Sequence, residues 1–415
     1  MDVRQFAFQV RQPCAALQPR DSFWGLPKRG LAFILANVMF WQPLVVMADG
    51  IVVNGSGTSL GQAANGVPIV NIAAPNGSGL SHNKFSDYNV GQQGVILNNA
   101  THRTQQTQLG GIILGNSNLG GRSANIILNE VNGGSPSQLK GYTEVAGQAA
   151  HVIVANPYGV SCNGCGFINT PKATLTTGKP VIESGQIQRY QVDQGSVSIE
   201  GAGLNANNID RFEIITRSAK LNAEIQAKNL TIIAGANDVD ANTLKATARA
   251  ANPADAPQLA IDSSALGGMY AGAIKLVGTE AGVGVKLDGK LIASGGDIQL
   301  DANGHLSLAQ ATSAQAVVIN AKSLDAEGAI YAGTRVEATT QGTLTNRHSI
   351  AAQDSVKLTS EGQLNNLGLI EAGVTPESTR NQSGDVTLTA KNIDNRGQSV
   401  IASRDLKATV SETLD

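Results

Sequence analysis

Short apolar runs alternate with polar turn clusters along nearly the whole chain. Ile51-Val52-Val53, Val67 to Ile72, Gly94 to Leu97, Gly111 to Leu114, Asn125 to Leu128 and His151 to Ala155 each have the length of a strand. Each is bounded by the Gly, Asn, Asp and Ser residues that turns require. Helical periodicity is nearly absent. Asp240 to Ala251 is the best helix candidate, and Asn252 to Pro257, with two prolines, reads as a polar loop.

The C-terminal third repeats. Leu324, Leu344 and Leu364 are spaced by 20 residues, as are Ile330, Ile350 and Ile370. Strand-like positions recur on a similar step at Ile298/Leu300, Val318, Val336/Ala338, Val356/Leu358, Val386/Leu388 and Leu406/Ala408. A polar insertion around Thr375 to Ser383, containing Pro376, explains the step of 30 from Val356 to Val386. A period near 20 built from β-formers means a solenoid, in which each repeat buries its apolar face against its neighbours. The leucine-rich repeat competes at this period, but it needs a dense leucine frame that the chain lacks. A parallel β-helix fits better, with Val, Ile, Leu and Ala inward and Thr, Ser, Lys and Gln outward. Asn346, Asn366 and Asn395 follow corresponding strands and are expected to stack as a hydrogen-bonded ladder.

Composition agrees with many turns and little charge: 47 of 415 residues are glycine, 15% are charged and 4% are aromatic. The net charge of −2 and the absence of an Arg-rich run exclude an electrostatic nucleic-acid binder. The first 48 residues differ from the rest, with five basic and two acidic side chains. A basic segment ends at Lys28-Arg29, an apolar stretch runs from Leu31 to Met47, and Val46-Met47-Ala48 offers a small residue for signal cleavage. Residues 1–48 therefore read as an extended export signal, cleaved between Ala48 and Asp49. The competing reading, a retained membrane helix, is opposed by its length of 17 residues and by Asn37, Gln42 and Pro43 within it.

Cleavage removes Cys14 and leaves Cys162 and Cys165. In an oxidising compartment a lone close pair predicts one disulfide. A redox-active pair would need a helix after the first cysteine, whereas Ser161 to Gly166 has turn composition. Half of a zinc site would need partner ligands, and His151 stands without a second histidine in metal spacing.

No catalytic set emerges. His82, His102, His151, His305 and His348 are scattered. Gly77-Ser78-Gly79 lacks the outer glycines of a nucleophile elbow. Gly110-Gly111 and Gly133-Gly134 precede no helix, which argues against a phosphate loop. Asp238/Asp240 and Glu280/Asp288 read as solvated turn acids. The sequence thus calls for no metal and no cofactor. A β-helix enzyme that degrades polysaccharide is the alternative, and a row of exposed carboxylates on one sheet would favour it.

One region is more specific. Phe85 to Asn99 is followed by Asn116-Ser117-Asn118-Leu119, then by Gly141 to Gly147, then by Asn156-Pro157-Tyr158-Gly159 and the Cys162/Cys165 pair. This order resembles the secretion domain of two-partner secretion exoproteins, the filamentous-haemagglutinin and contact-dependent-inhibition group, over about residues 45–290. The first asparagine cluster is similar to that family's N-x-N-L element, and the second to its N-P-N-G element with Tyr158 in place of the second Asn. The cysteine pair is similar to the contact-inhibition and haemolysin-like branch. The resemblance implies an all-β chain: a right-handed parallel β-helix with projecting hairpins, after the cleaved signal. It divides the chain into the signal (1–48), a secretion domain (49–290) and β-helical repeats (291–415). It implies export by the Sec machinery to the periplasm, then recognition by a cognate outer-membrane β-barrel transporter. The product would be secreted or displayed at the cell surface, for adhesion through a target-cell receptor or for presentation of a C-terminal toxin. Asn116, Asn118, Leu119, Asn156, Pro157, Tyr158 and Gly159 would carry transporter recognition, either by direct contact or by shaping turns. The chain stops in mid-repeat at Leu414-Asp415, which reads as a fragment or a truncated product.

Overall fold

The computed structural model describes residues 50–250, 255–396 and 398–415. The signal, its Ala48–Asp49 junction, Cys14 and residues 251–254 of the polar loop lie outside them. The described chain winds into a parallel β-helix whose coils each supply short strands to three stacks. One stack begins Pro68–Asn71, Val95–Asn99, Tyr142–Gly147 and Cys165–Ile168. The second begins Leu80–Tyr88, Ile126–Val131, His151–Ala155, Lys172–Thr176 and Arg211–Thr216. The third begins Ser137–Leu139, Val160–Cys162, Ser196–Ile199 and Ser218–Leu221.

Alternation along each strand sends every second side chain inward, and stacking coils seals those positions from water. In one coil Val336, Ala338, Leu344, Ile350 and Ala352 are all buried. Each Val, Leu or Ile so buried is worth about 1.5–3 kcal/mol. The first coils carry the large rings: Phe85 meets Tyr88 edge-on at 5.0 Å between centroids, and Phe167 lies 5.9 Å from Phe212.

The repeat is in register as spaced. Leu324, Leu344 and Leu364 are lateral neighbours, as are Ile330, Ile350 and Ile370. Val356 pairs with Val386 across the insertion. One position is corrected: Val317 and Ile319 face the core beside Ile298 and Leu300, while Val318 points outward. The steps in that stack are therefore 19, 19 and 20 residues from Ile298 through Val317 and Val336 to Val356. Asn346 Nδ2 donates to Asn366 Oδ1 at 2.8 Å, and Asn366 Nδ2 to Asn395 Oδ1 at 2.6 Å. This internal ladder gives partners to the buried Nδ2 groups of Asn346 and Asn366, which would otherwise be costly to bury.

Three features depart from the plain coil. At the N-terminal end, Ile51–Val53 runs antiparallel to Leu80–Tyr88, and Ser59–Gln62 antiparallel to Pro68–Asn71, closing the first coil's edges. An antiparallel hairpin, Thr104–Thr107 with Gly111–Leu114, leaves the corner between the first and second stacks. A four-stranded antiparallel sheet of Lys179–Glu183, Gln186–Val192, Asn237–Asp240 and Ala246–Ala248 is inserted from two coils with the plain coil of Arg211–Thr216 between them. It covers the outer face of the second stack, where Ile187, Tyr190, Val192 and Val239 pack on Leu128, Ile153, Ile215 and Ile233.

That sheet overturns the helix expected over Asp240 to Ala251. Asp240 Oδ1 accepts from Asn242 N, Thr243 N and Thr243 Oγ1 at 3.0, 2.7 and 2.9 Å, and Leu244 adopts φ of 59°. The aspartate fixes a tight turn, and pairing with Gln186–Val192 outweighs the helix preference of the alanines.

Candidate functional site

The two asparagine motifs build the same turn at different corners. Asn116 precedes a single 3-10 turn, Ser117–Leu119, that ends on Gly120 in the left-handed region with φ of 58°. Its Oδ1 accepts from Asn118 N at 3.0 Å, and its Nδ2 donates to Ile72 O and Asn98 O, both at 2.9 Å. Leu119 closes the turn through its N–H to Asn116 O and buries its side chain in the core. Asn156 repeats this pattern. Its Oδ1 accepts from Tyr158 N at 2.9 Å, Nδ2 donates to Ser135 O and Ser137 Oγ at 3.0 Å each, and Gly159 N returns to Asn156 O. Both asparagines are buried, and each amide is spent on the chain's own groups, mostly backbone.

The motifs diverge at their third residue. Asn118 Nδ2 reaches Gly57 O at 3.0 Å and Asn71 O at 3.3 Å, tying the turn to the N-terminal strands. Tyr158 sends its ring outward instead and is 47% exposed. Pro157 sits half-buried beside it, and Gly159 has φ of +123°, which a side chain rarely adopts. The two turns share no partner residue, so they are separate elements and not one site.

Cys162 and Cys165 are joined by a disulfide with Cα atoms 5.4 Å apart. Both point into the core, and the bond spans the Asn163-Gly164 turn, where Gly164 has φ of +79°. Asn163 N donates to Leu139 O and Gly164 N to Gly203 O, so this turn is held by the coils on both sides.

On the outer face, several polar groups have partners that the sequence does not reveal. Glu280 reads in sequence as a solvated turn acid; its side chain is in fact only 15% exposed and receives Arg217 through Nη2 at 2.7 Å and Nε at 3.2 Å. Asp238 likewise pairs with Arg249, whereas Asp240 serves its own turn. Beneath the four-stranded sheet, His151 Nε2 lies 2.8 Å from Thr174 Oγ1, which donates to Glu213, itself paired with Lys172 Nζ at 2.8 Å. Short-range spacing carries no trace of the partners of Glu280 and His151, because they come from different coils.

Burial, and secondarily the positive charge of Lys172, pushes the His151 pKa down to about 3. The unfolded imidazole takes a proton below about pH 6.5. Stability is therefore fully present above pH 6.5 and falls as the pH drops toward 3, by up to about 1.4 kcal/mol per pH unit. Urea unfolding at about pH 7 and about pH 4.5 measures this slope. The variant His151→Gln is expected to lose less stability between those two points than the parent chain.

The outer rows offer little to an acid–base enzyme. Asp301, Asn320, Thr339, Thr359, Thr389 and Thr409 stand side by side in register, one carboxylate beside one amide and four hydroxyls. Among the described residues no three His, Cys, Asp or Glu side chains converge as a metal set.

Known proteins share this arrangement. The family described as TPS secretion domain matches residues 45–308. The 16S rRNA endonuclease CdiA of Enterobacter cloacae is 47% identical over 344 residues, covering 82% of this chain and 10% of that protein. The tRNA nuclease CdiA of Yersinia mollaretii is 43% identical over 392 residues, covering 92% of this chain and 13% of that protein. The chain thus spans about a tenth of the length of these curated relatives. The crystal structure of the filamentous hemagglutinin secretion domain aligns with a TM-score of 0.57 at 32% identity, over 87% of this chain and 99% of that one. A matched secretion domain on a parallel β-helix closed at its N-terminal end places the chain in the two-partner secretion exoprotein family.

Proposed function

We propose that this chain is the export end of a secreted exoprotein that presents a toxin to neighbouring cells. Residues 1–48 take it through the Sec machinery and are cut off between Ala48 and Asp49. A cognate outer-membrane β-barrel transporter then recognises residues 49–290 from the periplasm, and residues 291–415 begin a β-helical shaft. The chemistry of the toxin belongs to sequence outside this region, by analogy with the nuclease names of the relatives. Contact with a target-cell receptor likewise falls to the rest of the exoprotein. Residues 49–415 serve transport and display and carry no catalysis.

The observation that carries this reading is the secretion-domain match over residues 45–308. The architecture suits the route, because near-neighbour contacts and one local disulfide let the N-terminal coils form first for the transporter and the later coils fold one after another as the chain emerges. Within it, the motif asparagines act by shaping turns that the transporter meets early, since their amides already have internal partners. The polysaccharide-degrading alternative draws little support from the row of Asp301 to Thr409, which holds a single carboxylate.

A reporter enzyme fused after Asp415 tests the proposal. In cells with the cognate transporter, the fusion is expected in the medium or on the surface, with Asp49 at its N-terminus. Removing residues 49–290 is expected to leave it in the periplasm. Equal external amounts of both forms would contradict the reading.

A further inference from the structure

Building on the export reading, we propose that the outer edge of strand Gly111–Leu114 is a docking edge for an extended, uncharged strand of the outer-membrane transporter. The strand pairs on one side with Thr104–Thr107 and, among the described residues, with no strand on the other. The phase of that pairing is set by Gly115 N donating to Arg103 O at 3.0 Å. Antiparallel pairs alternate, so Gly111 and Ile113 face their partner strand while Ile112 and Leu114 aim their N–H and C=O groups outward. Asn98 Nδ2 donates to Leu114 O at 2.9 Å, which leaves the Ile112 amide and carbonyl and the Leu114 amide for an incoming strand.

The side chains agree. Ile112 and Leu114 are 71% and 73% exposed, while Ile113 between them packs on Ala63, Ile69 and Ile96. The groove alongside, of about 370 Å³, is lined by Gly61, Asn71, Asn98 and Asn118 of the N-x-N-L turn, among others. From Thr104 to Gly121 there is no charged residue. Proteins normally guard such an edge with lysine, proline or a bulge, and none is present here.

The edge is also held rigid. The buried Glu144 carboxylate accepts from Gln108 N and Leu109 N, both at 2.7 Å, and Thr107 Oγ1 bridges Gly110 N and Gly111 O. A pre-ordered edge lowers the entropic cost of strand addition. A second copy of this chain is a poorer occupant. Four residues of edge fall far short of the roughly 1,200 Å² that a stable dimer buries. A weak, short contact suits a transporter, which must release its cargo.

The decisive variant is Ile112→Pro, which removes an outward N–H and leaves the Thr104–Thr107 ladder intact. Secretion of the full chain through its transporter is expected to fall by about tenfold, the loss of one or two strand hydrogen bonds. Ile112→Gln keeps the N–H and is expected to retain most of the secretion. A photo-crosslinker attached through Ile112→Cys should trap the transporter during export, whereas one attached through Thr359→Cys should not. Crosslinking at 112 remains informative even where the proline variant misfolds. Undiminished secretion of Ile112→Pro, or crosslinks at 112 only to a second copy, would overturn the edge proposal. Secretion of the parent chain without the transporter would instead overturn the export reading itself.

Discussion

Asn156→Ala is expected to stop the exoprotein at the outer membrane while leaving its synthesis and inner-membrane passage unchanged. The alanine removes two donations, to Ser135 O and Ser137 Oγ, and the acceptance from Tyr158 N that fixes the turn. Ser135 and Tyr158 are exposed and regain water, so the uncompensated loss is centred on the buried Ser137 hydroxyl. The equilibrium cost is about 1–3 kcal/mol, which a solenoid of stacked coils survives. Asn116→Ala acts similarly and also frees the carbonyls of Ile72 and Asn98. External amounts are expected to fall much further than either purified variant's thermal stability, because the turn is needed while few coils have formed. Periplasmic and external fractions, measured with the melting temperature of each variant, check this. Near-parental secretion of both would reduce these asparagines to ordinary turn residues.

The second large effect falls on Arg217 and Glu280. The pair ties together four segments: Arg217 Nη1 also donates to Asp193 O at 2.8 Å, and Glu280 Oε2 accepts from Ala236 N at 3.3 Å. Asp193 and Ala236 lie at the junctions where the four-stranded sheet leaves the coil. Arg217→Ala leaves the Glu280 carboxylate with little exposure and no cation, which costs about 3–5 kcal/mol. The double variant Arg217→Met with Glu280→Leu is expected to recover most of that loss, since the desolvation penalty of both charges disappears. Urea unfolding of the three proteins tests the sign. A single variant as stable as the parent would mean that the pair is solvated in solution.

The coil was legible in sequence wherever neighbours differ by a fixed step. Leu324, Leu344 and Leu364 announce one stack because each occupies the same place in a coil, and the Asn346–Asn366–Asn395 ladder follows from the same arithmetic. Coil length itself is the weak point. A change from 19 to 20 residues per coil leaves the spacing readable but flips one residue, so Val318 falls on the wrong face. The projecting elements were less legible. Gly111 to Leu114 reads as a strand, but its lone pairing with Thr104–Thr107 depends on Glu144 reaching across from the next coil. Asp240 to Ala251 reads as a helix because its alanines are local, whereas its partner strand is about 50 residues earlier in the chain. At the motif turns, residue types reveal tight corners, but only the structure shows that Asn116 and Asn156 have no amide atom left for a partner.

The export claim is tested most directly by measuring the mature chain in the medium and in the periplasm of cells with and without the cognate outer-membrane transporter. With the transporter, the chain is expected outside, with its periplasmic pool small. Without it, the external amount is expected to collapse and processed chain beginning at Asp49 to remain in the periplasm. Equal external amounts in the two strains would contradict the account.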